Sequence, residues 1–257
     1  MMRTPFLLRR SLMTLGLLCL NLTVLPTVKA VEEEAQSTGI SFYNTRVIFT
    51  ATSLSGVTQT LYNKTDNAWL LQSLIRPVDA QTGDVDIDNH ANILLPFIAT
   101  PPLERLDAHS DITLRIRRND VPLPDDRESV FYLTMKAIPA QPKHAESNTV
   151  TLAVVSSMKV FFRPVGLKRY AVEEASNALR FRKQGNELIA INPTPYWLTF
   201  AMLRVGSHDL DKAQRRLMVP PKGERGYHFP SGTQGQVTWQ LIDEDTWLTP
   251  LKQQDSP

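Results

Sequence analysis

Proline most restricts what this chain can become. Eighteen prolines are spread over 257 residues. A proline inside a helix removes a hydrogen bond and clashes with the preceding turn, so long helices are excluded. Between the prolines lie short runs in which apolar and polar residues alternate, the period of a half-buried strand. Such runs are SFYNTRVIFT (41–50), TQTLYNKT (58–65), WLLQSLI (69–75), DITLRIRR (111–118) and SVFYLTMKAI (129–138). In DITLRIRR the apolar Ile112, Leu114 and Ile116 share one face. After Pro164 the pattern resumes with ALRFRK, NELIAINP, YWLTFAMLRV and GQVTWQLI. Only YAVEEASNALRF (170–181) has a helical period, and it is short. Many short strands with turn signals between them predict an all-β protein of sandwich type. Because the strand set repeats on either side of about residue 164, two sandwiches in tandem are expected.

The first thirty residues belong to neither. Arg3, Arg9 and Arg10 precede an apolar run of roughly fourteen residues from Leu12, which ends in Val28-Lys29-Ala30. Small residues at the −3 and −1 positions complete a secretory signal peptide over 1–30, too short to span a bilayer comfortably. Its removal takes away four cations and no acids, so the formal charge falls from +2 to −2. A nearly neutral chain gives no case for nucleic-acid binding, and after cleavage no membrane insertion is expected. Cys19, the one cysteine, leaves with the leader. An exported protein without disulfides must rely on packed cores, and the remaining length suits two domains of about 100 residues or a little more.

The segment TVTLAVVSSMKVFFRP (149–164) raises the sharpest question. Val150, Leu152 and Val154 alternate, the run is nearly free of charge, and exposing it would invite aggregation. It reads either as a buried core strand or as a strand that another chain must cover. Lys159 and Arg163 sit at its end among apolar residues, and Arg46 sits in NTRVIF. Each cation could reach water from a strand edge. Arg46 and Lys159 could also converge to hold a carboxylate through charge-assisted hydrogen bonds. Spacing alone leaves both open.

Catalytic signatures are missing from the sequence. No cysteine nucleophile survives export, and no Gly-x-Ser-x-Gly, Walker or His-Glu-x-x-His motif occurs. DVDIDNH starts like a calcium loop at Asp84, Asp86 and Asp88, but Asn89 and Leu95 occupy the positions that need glycine and glutamate. The expectation is a binding protein, with no enzymatic activity, metal or cofactor.

Seven blocks give that expectation a family. TRVIF (45–49), FIATPPLERLD (97–107), LPDDRESVFYLTMKAIP (123–139), MKVFFRP (158–164), LRFRK (179–183), INPTPYWLTF (191–200) and VPPKGER (219–225) resemble, in the same order, the periplasmic pilus (fimbrial) assembly chaperones of the chaperone–usher pathway. The short polar loop at 140–148 is similar to the branch that serves rod-like pili. The resemblance implies two immunoglobulin-like β-sandwiches in a boomerang with a cleft between them, residues 31–164 forming the N-terminal domain and 165–257 the C-terminal one. It implies donor-strand complementation, in which Val150, Leu152 and Val154 fill the groove of a pilin subunit that lacks a strand. Arg46 and Lys159 would grip the subunit's C-terminal carboxylate and so fix the register of the added strand. Because Lys159 lies an odd number of residues from Val154, either a bulge or bend between them or an approach from the strand edge is required. Glu128 and Arg163 would join an interdomain ion network completed by Glu244 or a neighbouring acid, Asp243 or Asp245. Implied partners are pilin subunits and an outer-membrane usher, with weak self-association of the free protein. The alternative is an exported structural or adhesive tandem sandwich, although residues 31–39 lack the alternating donor pattern a fibre subunit needs.

Overall fold

The computed structural model describes residues 39–86, 94–140 and 152–255. Residues 37–257 form one compact unit. Residues 1–30, expected to be a leader, Val150 and most of the loop at 140–148 lie outside the described residues.

The first half of the described chain builds β1 (Ile40–Phe42), β2 (Arg46–Thr50), β3 (Val57–Asn63), β4 (Trp69–Arg76), β5 (Phe97–Thr100), β6 (Leu103–Leu106), β7 (Asp111–Arg118), β8 (Ser129–Pro139) and β9 (Val154–Arg163). They form two sheets, ordered β1-β3-β7-β5 and β2-β9-β8-β4-β6. Alternation places Leu61, Leu114 and Ile116 of the first sheet against Val47, Leu133, Met135, Val160 and Phe162 of the second, all buried in one core. Phe49 and Phe97 meet inside it with ring centroids 5.0 Å apart. The bond between Thr100 and Pro101 is cis.

The second half contributes a short helix, α1 (Val172–Ala178), then β10 (Arg180–Gln184), β11 (Glu187–Asn192), β12 (Phe200–Val205), β13 (His208–Asp209), β14 (Gly223–His228), β15 (Val237–Leu241) and β16 (Lys252–Gln254). Its sheets run β10-β11-β14 and β13-β12-β15-β16. Phe181, Leu188, Phe200, Leu203, Tyr227 and Trp239 anchor a separate core. The protein is therefore all-β apart from small helical turns, with one hydrophobic core in each sandwich.

SFYNTRVIFT reads as one alternating segment yet forms two strands in different sheets. β1 pairs antiparallel with β3, whereas β2 pairs parallel with β9. Each half alternates on its own account, so the letters carry straight across a crossing made at the exposed residues 43–45. This switch decides the shape of the edge. β2 runs beside β9 only from Arg46↔Lys159 to Thr50↔Arg163. Among the described residues, no strand pairs with Val154–Met158 on that side. β8 covers the other side of β9 from Ala137↔Val154 to Ser129↔Phe162 with no register shift. The bulge considered between Val154 and Lys159 is therefore absent. The two residues lie on opposite faces of one regular strand, which leaves the approach from the edge.

Candidate functional site

Direct cross-strand partners project from the same face of a sheet. The pairs Arg46↔Lys159, Lys159↔Tyr132 and Tyr132↔Arg76 thus set four side chains in a row across β2, β9, β8 and β4. The row lies on the face opposite the core, since the next rung, Val47 with Val160, points inward. Two cations that the sequence left 113 positions apart are neighbours because β2 and β9 run in parallel.

Among the described residues, neither cation is held in an ion pair. Arg46 is only 9 % exposed. Its Nη1 donates to the Ile242 carbonyl at 2.9 Å, its guanidinium lies 5.5 Å from the centre of the Phe161 ring, and its buried Nε has no hydrogen-bond partner among the described residues. Burial lowers its pKa to about 10, against the pull of Glu128, Glu244 and Asp243. Lys159 is pushed down to about 8 by burial and by Arg46, with Asp84 opposing. Such groups are costly until an anion arrives. Arg46 also borders a polar cavity of about 430 Å³, lined further by Arg115, Arg169, Glu244 and Asp245.

Four residues along the same face, Arg163 is in the opposite condition. It is 1 % exposed; its Nε lies 2.7 Å from Glu128 and its Nη2 2.8 Å from Glu244. Nη1 donates to the carbonyls of Lys168 (2.8 Å) and Arg169, and the guanidinium sits 4.8 Å from the Tyr196 ring centre. Glu128 belongs to the first sandwich and Glu244 to the second, so one guanidinium ties them together. Trp197 strengthens the junction: its backbone N–H donates to Glu128 Oε2 at 2.8 Å and its indole N–H to the Glu128 carbonyl at 3.0 Å. Glu244 Oε1 also accepts from the Ala171 and Val172 N–H groups at the start of α1. Burial pushes the Glu128 carboxyl up to about 7. Burial of Arg163 acts to lower its own value, but Glu128 and Glu244 together hold the guanidinium above its ordinary range. With N–H donors on both oxygens, Glu128 is assigned as the carboxylate. Asp243 instead closes its own turn, accepting from Asp245 and Trp247 N–H groups.

The free edge is apolar. Leu152 is 76 %, Val154 51 % and Val155 57 % exposed. The face bearing Val154 runs on into the core through Met158, Val160 and Phe162, so a strand laid along this edge would continue the sheet over the same interior.

Exposing half a valine-rich strand is a liability that exported domains normally avoid. Here it ends at two cations that form no ion pair among the described residues, an arrangement suited to a β-sandwich protein that holds another polypeptide. Comparison places the class more narrowly: the chain belongs to the pilus-assembly chaperone family. The family described as "Pili and flagellar-assembly chaperone, PapD N-terminal domain" matches residues 39–168, and "Pili assembly chaperone PapD, C-terminal domain" matches 174–245. The chaperone protein FimC of Escherichia coli K12 is 34 % identical over 214 residues, 82 % of each chain. The probable fimbrial chaperone LpfB of E. coli O157:H7 is 37 % identical over 196 residues, 76 % of this chain and 78 % of that one. Among solved structures, the E. coli chaperone DraB aligns with a TM-score of 0.69 at 30 % identity, covering 86 % of this chain and 98 % of DraB. A chain of the Salmonella enterica SafA pilin–SafB chaperone complex aligns at 0.71 and 27 % identity, covering 84 % and 96 %.

Proposed function

We propose that this protein works in the periplasm, where the N-terminal sandwich (31–164, after removal of leader 1–30) lends the free edge of β9 to a pilin subunit. The C-terminal sandwich (165–257) completes the junction at Arg163, and the complex is delivered to an outer-membrane usher. Val150, Leu152 and Val154 would enter the subunit groove while main-chain hydrogen bonds hold the added strand. Arg46 and Lys159 would take the subunit's C-terminal carboxylate, and Glu128, Arg163 and Glu244 would keep the sandwiches in place around it. The carrying observation is that β9 loses its second neighbour at the very rung where Arg46 and Lys159 stand, neither in an ion pair among the described residues. A strand added there would run antiparallel or parallel to β9 until stopped by that row, which supplies the missing end-stop against slippage by two residues. Membership of the chaperone family and the pilin complex of one structural relative support the reading. No helix of the described residues is long and apolar enough to cross a membrane. Leu152, Val154 and Val155 also give the free protein reason to self-associate weakly, since each would remove apolar area from water.

The test is co-purification of tagged candidate pilins from the periplasm with wild type, Arg46→Ala and Lys159→Ala. Charge-assisted hydrogen bonds contribute about 1.5–3 kcal/mol each, so each variant should retain at least tenfold less subunit while melting as a folded protein. Folded variants that hold the subunit as wild type does would remove the carboxylate anchor.

A further inference from the structure

A turn that follows β4 reaches into the cation row from above. Residues 77–86 close on themselves. Val78 bridges Val85, the Asp79 N–H donates to the Asp84 carbonyl at 2.9 Å, and Asp79 Oδ1 accepts from the Gln81 and Thr82 N–H groups. The turn is fastened at three points. Tyr132, the direct cross-strand partner of Lys159, donates its hydroxyl to the Gly83 carbonyl at 2.7 Å. Asp84 Oδ2 lies 2.6 Å from Nη1 of Arg216, in the second sandwich. Arg225 Nη1, also of that sandwich, donates to the Ala80 carbonyl at 3.3 Å. Gly83 has φ +69°, and a Cβ there would stand 2.6 Å from the Arg216 carbonyl oxygen. Only glycine allows so close an approach.

We propose that Asp84 is a positioning residue of the cation row, stationed by this turn as the resident counter-charge of Lys159 in the empty cleft. Among the described residues, the charged and titratable groups about the row are Arg46 from β2, Tyr132 from β8, Arg76 at the far end on β4, Asp84 from the turn with Arg216 beyond it, and, acting on Arg46, Glu128, Glu244 and Asp243. Of these carboxylates, Asp84 is the one that pulls on Lys159, and it acts on Tyr132 as well. Arg216 holds it at the junction of the two sandwiches, so the charge state of the row depends on how the sandwiches meet. Toward an incoming carboxylate, Asp84 has two opposed effects. It keeps Lys159 cationic to higher pH, and it repels the ligand. The counter-charge role stands on the turn's hold on Tyr132, the cross-strand partner of Lys159, together with the pull of Asp84 on Lys159, whereas its effect on ligand binding rests on the function proposed above.

The experiment is an NMR titration of the mature protein carrying lysine labelled with ¹³C at Cε, followed between pH 6 and 10.5. The Lys159 signal is the one that vanishes in Lys159→Met. Asp84→Asn should lower its midpoint by about half a pH unit, the scale of one partly screened charge near a surface. Arg216→Gln removes a cation and frees Asp84, so the midpoint should rise; Asp84→Glu should return it toward wild type. A turn that only braces the fold would move the denaturation midpoint and leave Lys159 alone, or shift Lys159 in the same direction in the Asn and Gln variants. Either result overturns the proposal, and if Asp84→Asn does not fold, the sign of the Arg216→Gln shift decides. A second measurement uses an alternating Val/Ser decapeptide with a free C-terminus, and its amide as control. Asp84→Asn should bind the free-acid peptide about threefold tighter at pH 6.5 and lose it at lower pH than wild type does. Equal binding of acid and amide by wild type would count against the carboxylate anchor, and the titration would still judge Asp84.

Discussion

Lys159 and Arg163 lie on one face of one strand, the first partly buried and the second fully, and their surroundings are opposite. Arg163 is met by two carboxylates, two carbonyls and an aromatic ring. Lys159 is met first by another cation, Arg46. A buried cation with a full set of acceptors is part of the frame, and removing it strands the acids gathered around it. A desolvated cation without acceptors weakens the frame, and perturbed groups of that kind gather where something is bound. The difference between these two positions on β9 is therefore made by the partners, not by the residue type.

The same substitution at both positions sharpens the contrast. Arg163→Met should lower the free energy of unfolding by about 3–5 kcal/mol, because Glu128 and Glu244 stay buried without their guanidinium. A clear fall in the urea midpoint at pH 7 is the readout; a loss under about 1 kcal/mol would mean that the triad is an ornament of the junction.

Lys159→Met should act with the opposite sign, raising stability at pH 7 by about 1–3 kcal/mol. The folded pKa of about 8 lies below the ordinary 10.5. Between those values the unfolded chain holds a proton that the folded chain has lost, so wild-type stability rises with pH in that window. The cost of charging Lys159 is fully present below about pH 8 and fades toward 10.5. Urea titrations at pH 7 and 9.5 should show this rise in wild type and none from this site in the variant. The gain in stability should accompany loss of subunit binding, the exchange expected where a site is kept strained for use. Equal destabilisation by both substitutions would end the comparison.

Much of this was legible in the letters, for a physical reason. Alternation reports one buried face per strand, so β3, β4, β7, β8, β11 and β15 stand out, and the single helical period falls on α1. Strands with little apolar content do not announce themselves. β14, GERGYH, and β16, KQQ, exist because β11 and β15 offer them hydrogen-bonding edges. The sandwich class and the family could be reached from pattern and resemblance, but the three-dimensional relation of Arg46 to Lys159 could not, because it depends on the sheet switch at residues 43–45. Asp84 was noticed only as part of a failed calcium loop; its turn's hold on Tyr132 and its own pairing with Arg216 are tertiary contacts that no spacing rule carries. Tyr132, Arg115, Arg169 and Trp197 were missed for the same reason. The acid facing Arg163 was open among three in sequence; in the fold Glu244 lies at the guanidinium while Asp243 caps its own turn.

The smallest expected effect tests whether crossing between sandwiches is enough to matter. Lys222 Nζ lies 2.8 Å from Asp126 Oδ2, joining the same two sandwiches as Arg163 does, but both side chains are more than 40 % exposed. Water already solvates each partner, so pairing replaces good interactions with similar ones and must order two side chains besides. Lys222 stands at φ +51°, so Lys222→Gln, which keeps the length and leaves the backbone as it was, is the fair substitution. Its urea midpoint should coincide with wild type within error, and any residual difference should vanish in 1 M salt, where screening acts within about 3 Å. A salt-resistant loss would show that the junction spreads its load over exposed pairs, and the sharp division between Arg163 and the rest of the interface would have to be redrawn.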